Sequence, residues 1–78
     1  MLSILITHFN RPNALNKCLE VLHEINWGIP FEIIVSDDGS TLENIEIINK
    51  TKIDTLLLSD KNLGLASNLN KGIKACSG

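Results

Sequence analysis

The 78-residue sequence lacks any apolar stretch of transmembrane length. Its opening apolar segment, Leu2 to Ile6, is only five residues long, has no basic segment before it and runs straight into His8 and Arg11, so it does not read as a signal peptide. Clustered positive charge is missing too. Seven Lys and Arg against nine Asp and Glu leave a net charge of -2, which excludes the basic footprint of a nucleic-acid binder or an anionic-membrane patch. Any phosphate this chain binds is held locally. Cysteine is scarce: Cys18 and Cys76 fall at apolar positions of expected helices, which predicts buried free thiols in a reducing cytosol rather than a disulfide frame. Together with His8 and His23 they show none of the short spacings of a zinc site. The turn from His8 to Pro12 has no glycine, and no Gly-x-x-x-x-Gly-Lys-Ser/Thr run occurs anywhere. A dinucleotide-binding dehydrogenase turn and a P-loop are therefore both excluded.

What is present is an ordinary globular composition, 44% hydrophobic and 21% charged. A chain this short makes at most one domain and buries about 60% of its unfolded surface. Leu2 to Thr7 reads as a first strand, followed by a turn through His8-Phe9-Asn10-Arg11 and a helix opened by Pro12. Leu15, Cys18, Leu19, Leu22 and Ile25 repeat at helical spacing, and Trp27-Gly28-Ile29-Pro30 ends that helix. Phe31 to Ser36 reads as a second strand. Ser40 and Glu43 fit a capping box before a second helix that carries Leu42, Ile45 and Ile48. Asp54 to Ser59 is a third strand, and a third helix over Leu65 to Ala75 is expected to bury Leu65, Ala66, Leu69, Ile73 and Cys76. Strands and helices alternating at this interval predict a Rossmann-like β-α-β-α-β-α arrangement around a parallel sheet, half of a doubly wound α/β fold. Ala75-Cys76-Ser77-Gly78 reads as a helix ending in a turn, so residues 1–78 are expected to form a single partial domain that stops mid-fold. In the doubly wound order 3-2-1-4, the first strand would then be an exposed apolar edge, and the fragment is expected to self-associate by pairing that strand across two copies.

Chemistry concentrates in three strand-end loops. Ile33 to Thr41 runs from an apolar strand into Asp37-Asp38-Gly39-Ser40, which sets two carboxylates at the carboxyl end of a strand, where open α/β sheets bind ligands. Thr7 to Arg11 and Asp60 to Gly64 would meet it at the same rim. A pyrimidine nucleoside wants a stacking ring, a carboxylate to accept its imide hydrogen, backbone donors and a further carboxylate for its ribose. Phe9, Asp38, the backbone near Thr7 and Asp37 can supply these. Phe9 also fits a rim residue packed on the first helix, Arg11 a solvated helix-start residue, and Lys71 and Lys74 solvent-facing charges. No partner for His8 or His23 is legible. A receiver-like signalling domain would put its carboxylates after strand three, the wrong place here, whereas a non-catalytic nucleotide-binding or assembly module stays open.

Over nearly its whole length the chain resembles the family 2 glycosyltransferases, whose catalytic domain has the GT-A fold. Thr7-His8-Phe9-Asn10-Arg11-Pro12 is similar to that family's first loop, Val35 to Thr41 to its Asp-Asp-Gly-Ser loop, and Asn62-Leu63-Gly64-Leu65-Ala66 with Asn70-Lys71-Gly72-Ile73 to its third segment. The resemblance implies nucleoside contacts from Thr7, Phe9, Asn10, Asp37, Asp38 and Gly39, with Asp38 receiving the imide hydrogen of uracil. It implies that Asn62, Gly64 and Asn70 flank the sugar-diphosphate side. Leu69 stands where members commonly carry arginine. The implied parent enzyme transfers a sugar from a nucleotide donor, UDP-linked, to a glycan or other acceptor, in the cytoplasm or at the cytoplasmic face of the membrane. It uses a divalent metal, Mg or Mn, whose Asp-x-Asp ligands and whose catalytic base lie outside this chain. A sugar nucleotidyltransferase would instead need a glycine-rich, basic first loop.

Overall fold

The computed structural model describes residues 1–78. Strands β1 (Leu2–His8), β2 (Phe31–Asp37) and β3 (Thr55–Leu57) form one parallel sheet in the order β1-β2-β3, leaving β1 at an open edge. Helix α1 (Pro12–Glu24) links β1 to β2; α2 (Leu42–Ile47) and a 3-10 turn (Lys50–Lys52) link β2 to β3; α3 (Leu65–Ala75) follows β3. The β-α-β-α-β-α α/β arrangement expected from the sequence is thus observed.

β2 is the best covered strand because it lies between two neighbours and under helices on both faces. Ile33, Ile34 and Val35 are fully buried. On one face, Ile33 and Val35 pack with Leu15 and Leu19 of α1 and with Ile48, and Ile4, Ile6, Leu22, Phe31, Ile53 and Leu56 close around them. Each fully buried aliphatic side chain of this kind contributes about 1.5–3 kcal/mol. α1 thus spends its apolar repeat as the spacing predicts. Asn16 ties its α2 side down, its amide donating to the Ile47 carbonyl at 2.8 Å and its Oδ1 accepting from the Asn49 amide at 2.7 Å.

α3 covers the other face and departs from the expectation. Leu65, Leu69 and Ile73 are 65%, 38% and 59% exposed, Ala66 is exposed as well, and the side turned to the sheet carries Asn68 and Gly72. The reason is a close approach secured by polar bonds. Gly72 sits directly on the Leu5 side chain, so closely that a Cβ there would collide with it. Asn68 Nδ2 donates to the Ser36 carbonyl at 2.7 Å, and the Ser36 hydroxyl donates to Asn68 Oδ1 at 2.6 Å. A stripe of large side chains could not come so near the sheet.

Three local expectations are corrected as well. α2 is capped by Thr41, whose Oγ1 accepts from the Asn44 amide at 3.3 Å, and not by Ser40. Ser40 is diverted because its hydroxyl donates to Asp37 Oδ1 at 2.5 Å. The third strand is only Thr55–Leu57, shorter than Asp54 to Ser59. Both thiols are free, but Cys18 is exposed, since α1 turns Leu15 and Leu19 inward and Cys18 to its flank.

Candidate functional site

Parallel strands end together, so their following loops share one rim of the sheet. β1 and β2 pair in register through His8 and Asp37, the last residue of each. That register builds a clasp between the first two loops. His8 Nδ1 lies 2.8 Å from Asp37 Oδ1, and the Arg11 amide donates to His8 Nε2 at 3.0 Å. Because Nε2 accepts that bond, the ring proton sits on Nδ1 and points at the carboxylate. Asp37 Oδ2 accepts from the Ser40 amide at 2.9 Å. Burial works against the charged form of Asp37, but the Ser40 hydroxyl, the Ser40 amide and His8 together outweigh it and hold the carboxyl below its ordinary value.

Asn10 adds a second tie between the loops. It is the one non-glycine residue with positive φ, at 49°. Its Oδ1 accepts from the Thr41 amide at 2.9 Å and from Asn44 Nδ2 at 3.0 Å, and its own amide donates to Ser40 Oγ at 2.8 Å. Asparagine tolerates this backbone better than bulkier residues.

Asp38 joins the second loop to the third. Its Oδ1 accepts from the Leu63 amide at 2.8 Å and its Oδ2 from the Gly64 amide at 3.1 Å. Gly39 permits the contact: its φ is +85°, and a Cβ would stand 2.5 Å from the Lys61 carbonyl carbon. Lys71 reaches the same rim from α3, donating to the Asp37 carbonyl at 2.7 Å and to Ser59 Oγ at 2.5 Å, rather than pointing to solvent.

The three joined loops enclose an open cavity of about 290 Å³. Thr7, His8 and Phe9 line it from the first loop, Asp38 from the second, and Asn62, Gly64, Leu65 and Asn68 from the third loop and α3. Of the residues singled out in the sequence, Thr7, Phe9, Asp38, Asn62 and Gly64 thus converge on one space. Asn10, Asp37 and Gly39 lie behind it as ties within and between loops, with Asp37 fully buried and both its oxygens engaged. Asn70 is exposed on the far side of α3 and lines no cavity. His8 and Asn68 escaped the sequence reading. The register that faces His8 with Asp37 is a tertiary fact, whereas the i, i+4 pair of Asn68 and Gly72 was a legible sign of a small, polar helix face.

No three His, Cys, Asp or Glu side chains converge on a common point. The two rim carboxylates already hold backbone amides and, at Asp37, a ring nitrogen and a hydroxyl. These residues do not fit a divalent metal.

The parallel α/β fold thus carries a clasped cavity at its strand ends, where open sheets of this kind bind ligands. The chain belongs to glycosyl transferase family 2, whose sequence profile matches residues 3–78. It is 34% identical over 83 residues to the amylovoran biosynthesis glycosyltransferase AmsE of Erwinia amylovora, across 99% of this chain and 31% of that protein. It is 36% identical over 77 residues to the hyaluronan synthase of Pasteurella multocida, across 94% of this chain and 8% of the synthase. It is 37% identical over 65 residues to the chondroitin synthase of Pasteurella multocida strain Pm70, across 81% of this chain and 7% of the synthase. The chain thus spans under a third of the length of these relatives. No solved structure matches it. No helix is long and apolar enough to cross a membrane.

Proposed function

We propose that the rim cavity takes the nucleoside part of a nucleotide-sugar donor, UDP-linked, for a glycosyltransferase that passes the sugar to a glycan acceptor. The observation that carries this reading is the convergence of three strand-end loops on one cavity of about 290 Å³, the low end of small-ligand pockets at about 300–1,000 Å³. That is room for a base and ribose, with the sugar beyond it. Phe9, 44% exposed, offers a ring face for the base. Each Asp38 oxygen holds one amide and keeps a lone pair, so the carboxylate can still accept the imide hydrogen. Asn62 spends its Oδ1 on the Gly64 amide at 3.0 Å, and its Nδ2 remains to meet a ribose hydroxyl. Asp37, which the sequence offers as a carboxylate for the ribose, is fully buried with both oxygens engaged and serves better as the brace that presents its neighbour. The relatives, named for making amylovoran, hyaluronan and chondroitin, support a glycan acceptor.

The test is an amide NMR titration with UMP and, separately, AMP. Shifts confined to Thr7, Phe9, Asp38, Asn62 and Gly64, stronger with UMP and lost in Phe9→Ala, are expected. No shift at these residues, or equal shifts with both nucleotides, overturns the reading.

A further inference from the structure

The first loop is closed by a side chain. In a hydrogen-bonded turn the amide of the fourth residue returns to the carbonyl of the first. Across His8-Phe9-Asn10-Arg11 that carbonyl is already engaged, because the His8 oxygen continues the β1–β2 ladder and accepts from the Asp38 amide at 2.9 Å. The imidazole takes its place, and Nε2 accepts from the Arg11 amide at 3.0 Å. Phe9, which lines the cavity, and Asn10, with its positive φ, are the two residues enclosed by this bond. On the ring's other side Nδ1 lies 2.8 Å from Asp37 Oδ1, and the His8 side chain is only 3% exposed. One buried imidazole thus fixes the bend that carries Phe9 and anchors it to β2.

We propose that His8 is a positioning residue and a proton latch for the nucleoside cavity: the neutral imidazole holds Phe9 where it can stack on a base, and a proton on Nε2 releases it. The latch rests on the nucleoside reading given above and adds to it a control by pH. A proton on Nε2 turns the acceptor into a donor, so two N–H groups face each other and the Arg11 bond is lost. The bond from Nδ1 to Asp37 survives and becomes charge-assisted on both sides, so the ring stays fixed to β2. With the His8 carbonyl engaged, the backbone cannot close the bend in its stead. The change is therefore confined to the loop that carries Phe9. The charged and titratable groups around the ring come from four directions. Asp37 of β2 touches it and, held below its ordinary value, stays charged throughout the range in which imidazoles titrate. Asp38 of the second loop shares the cavity wall but directs its oxygens to the Leu63 and Gly64 amides. Arg11 and Cys18 stand on the α1 side. Lys71 of α3 is tied to the Asp37 carbonyl and to Ser59.

Uridine is the probe, because the phosphate of a nucleotide itself titrates near about pH 6. Its affinity, followed by amide NMR from about pH 8 down to about pH 5, should fall about threefold to tenfold, the effect of one hydrogen bond, in step with the His8 ring signals. His8→Gln should abolish that pH dependence. His23→Gln, at the other of the two histidines and bonded to the Lys52 carbonyl, should keep it. Without ligand, nitrogen-15 spectra of the unsubstituted chain should place the His8 proton on Nδ1 at the upper pH, and the Arg11 amide and Phe9 signals should move as the ring titrates. A proton on Nε2 at the upper pH, an affinity that stays level across the range, or a pH dependence that persists in His8→Gln would each overturn the latch. Absence of uridine binding at every pH, with Arg11 and Phe9 still following the His8 ring, would instead overturn the nucleoside reading and leave the latch standing.

Discussion

α1 and α3 are both amphipathic, of similar length, and laid on opposite faces of the same sheet, yet they use their apolar stripes in opposite ways. α1 buries Leu15 and Leu19 against β1 and β2 and leaves a second, weaker apolar flank outside. α3 meets the sheet through Asn68 and Gly72 and leaves its large apolar residues exposed. Helical periodicity shows that a helix has a face to cover. It does not say which neighbour covers it. α3 is held instead by backbone approach and buried hydrogen bonds, which depend on small and polar residues in the right places rather than on apolar area.

The sharpest way to break this comparison is to truncate one leucine on each helix. Leu19→Ala removes a fully buried side chain and should cost about 2–5 kcal/mol, enough to unfold much of a domain this small in a urea titration. Leu65→Ala, at a position 65% exposed, should change stability by about 0.5 kcal/mol or less. Equal costs at the two sites would mean that α3 is packed through its apolar stripe after all.

Gly72→Val should come next. Its side chain meets Leu5 where the helix backbone rests on β1, and overpacking of this kind costs about 1–3 kcal/mol. The same substitution at Gly28, where a Cβ meets nothing within 4 Å but φ is +73°, separates crowding from backbone strain. Loss of α3 amide protection in hydrogen exchange only for Gly72→Val is the expected signature. Asn68→Ala leaves the Ser36 hydroxyl and carbonyl without their side-chain partner, for about 1–3 kcal/mol.

A smaller, pH-dependent effect distinguishes the clasped rim from both helices. The folded Asp37 carboxyl lies below its ordinary value, so its contribution is fully present above the unfolded carboxylate pKa and fades as pH falls through the folded one. Acid titration of stability should therefore show a loss below about pH 4, diminished in Asp37→Asn. His8→Gln should loosen the amide of Arg11 and the first loop before it affects the core under Leu19. An unchanged acid limb in Asp37→Asn would remove Asp37 from the clasp.

The strand and helix alternation, the breaks at Gly28 and Pro30, and the apolar β2 were all legible because each depends on local periodicity or turn chemistry. The three loops of the candidate site were legible as segments for the same reason. Within them the assignment of individual residues was not. Asp37 and Asp38 are neighbours of one chemical type, and only the pleat of β2, its pairing with β1 and the turn at Gly39 send one carboxylate inward to His8 and Ser40 and the other across to Leu63 and Gly64. Asn70, a site residue by resemblance, is exposed on α3 and does not line the rim cavity, because α3 is turned so that Asn68 and Gly72 meet the sheet.

By itself, then, the sequence determined a parallel α/β fold with its polar loops gathered at one end, since local pattern and chain direction leave few other arrangements. The tertiary structure alone decided which helix face meets the sheet and which carboxylate faces the cavity. These depend on register, helix rotation and close approach, which couple residues about thirty or more positions apart, such as His8 with Asp37 and Asn68 with Ser36, and no local pattern of residues carries that information.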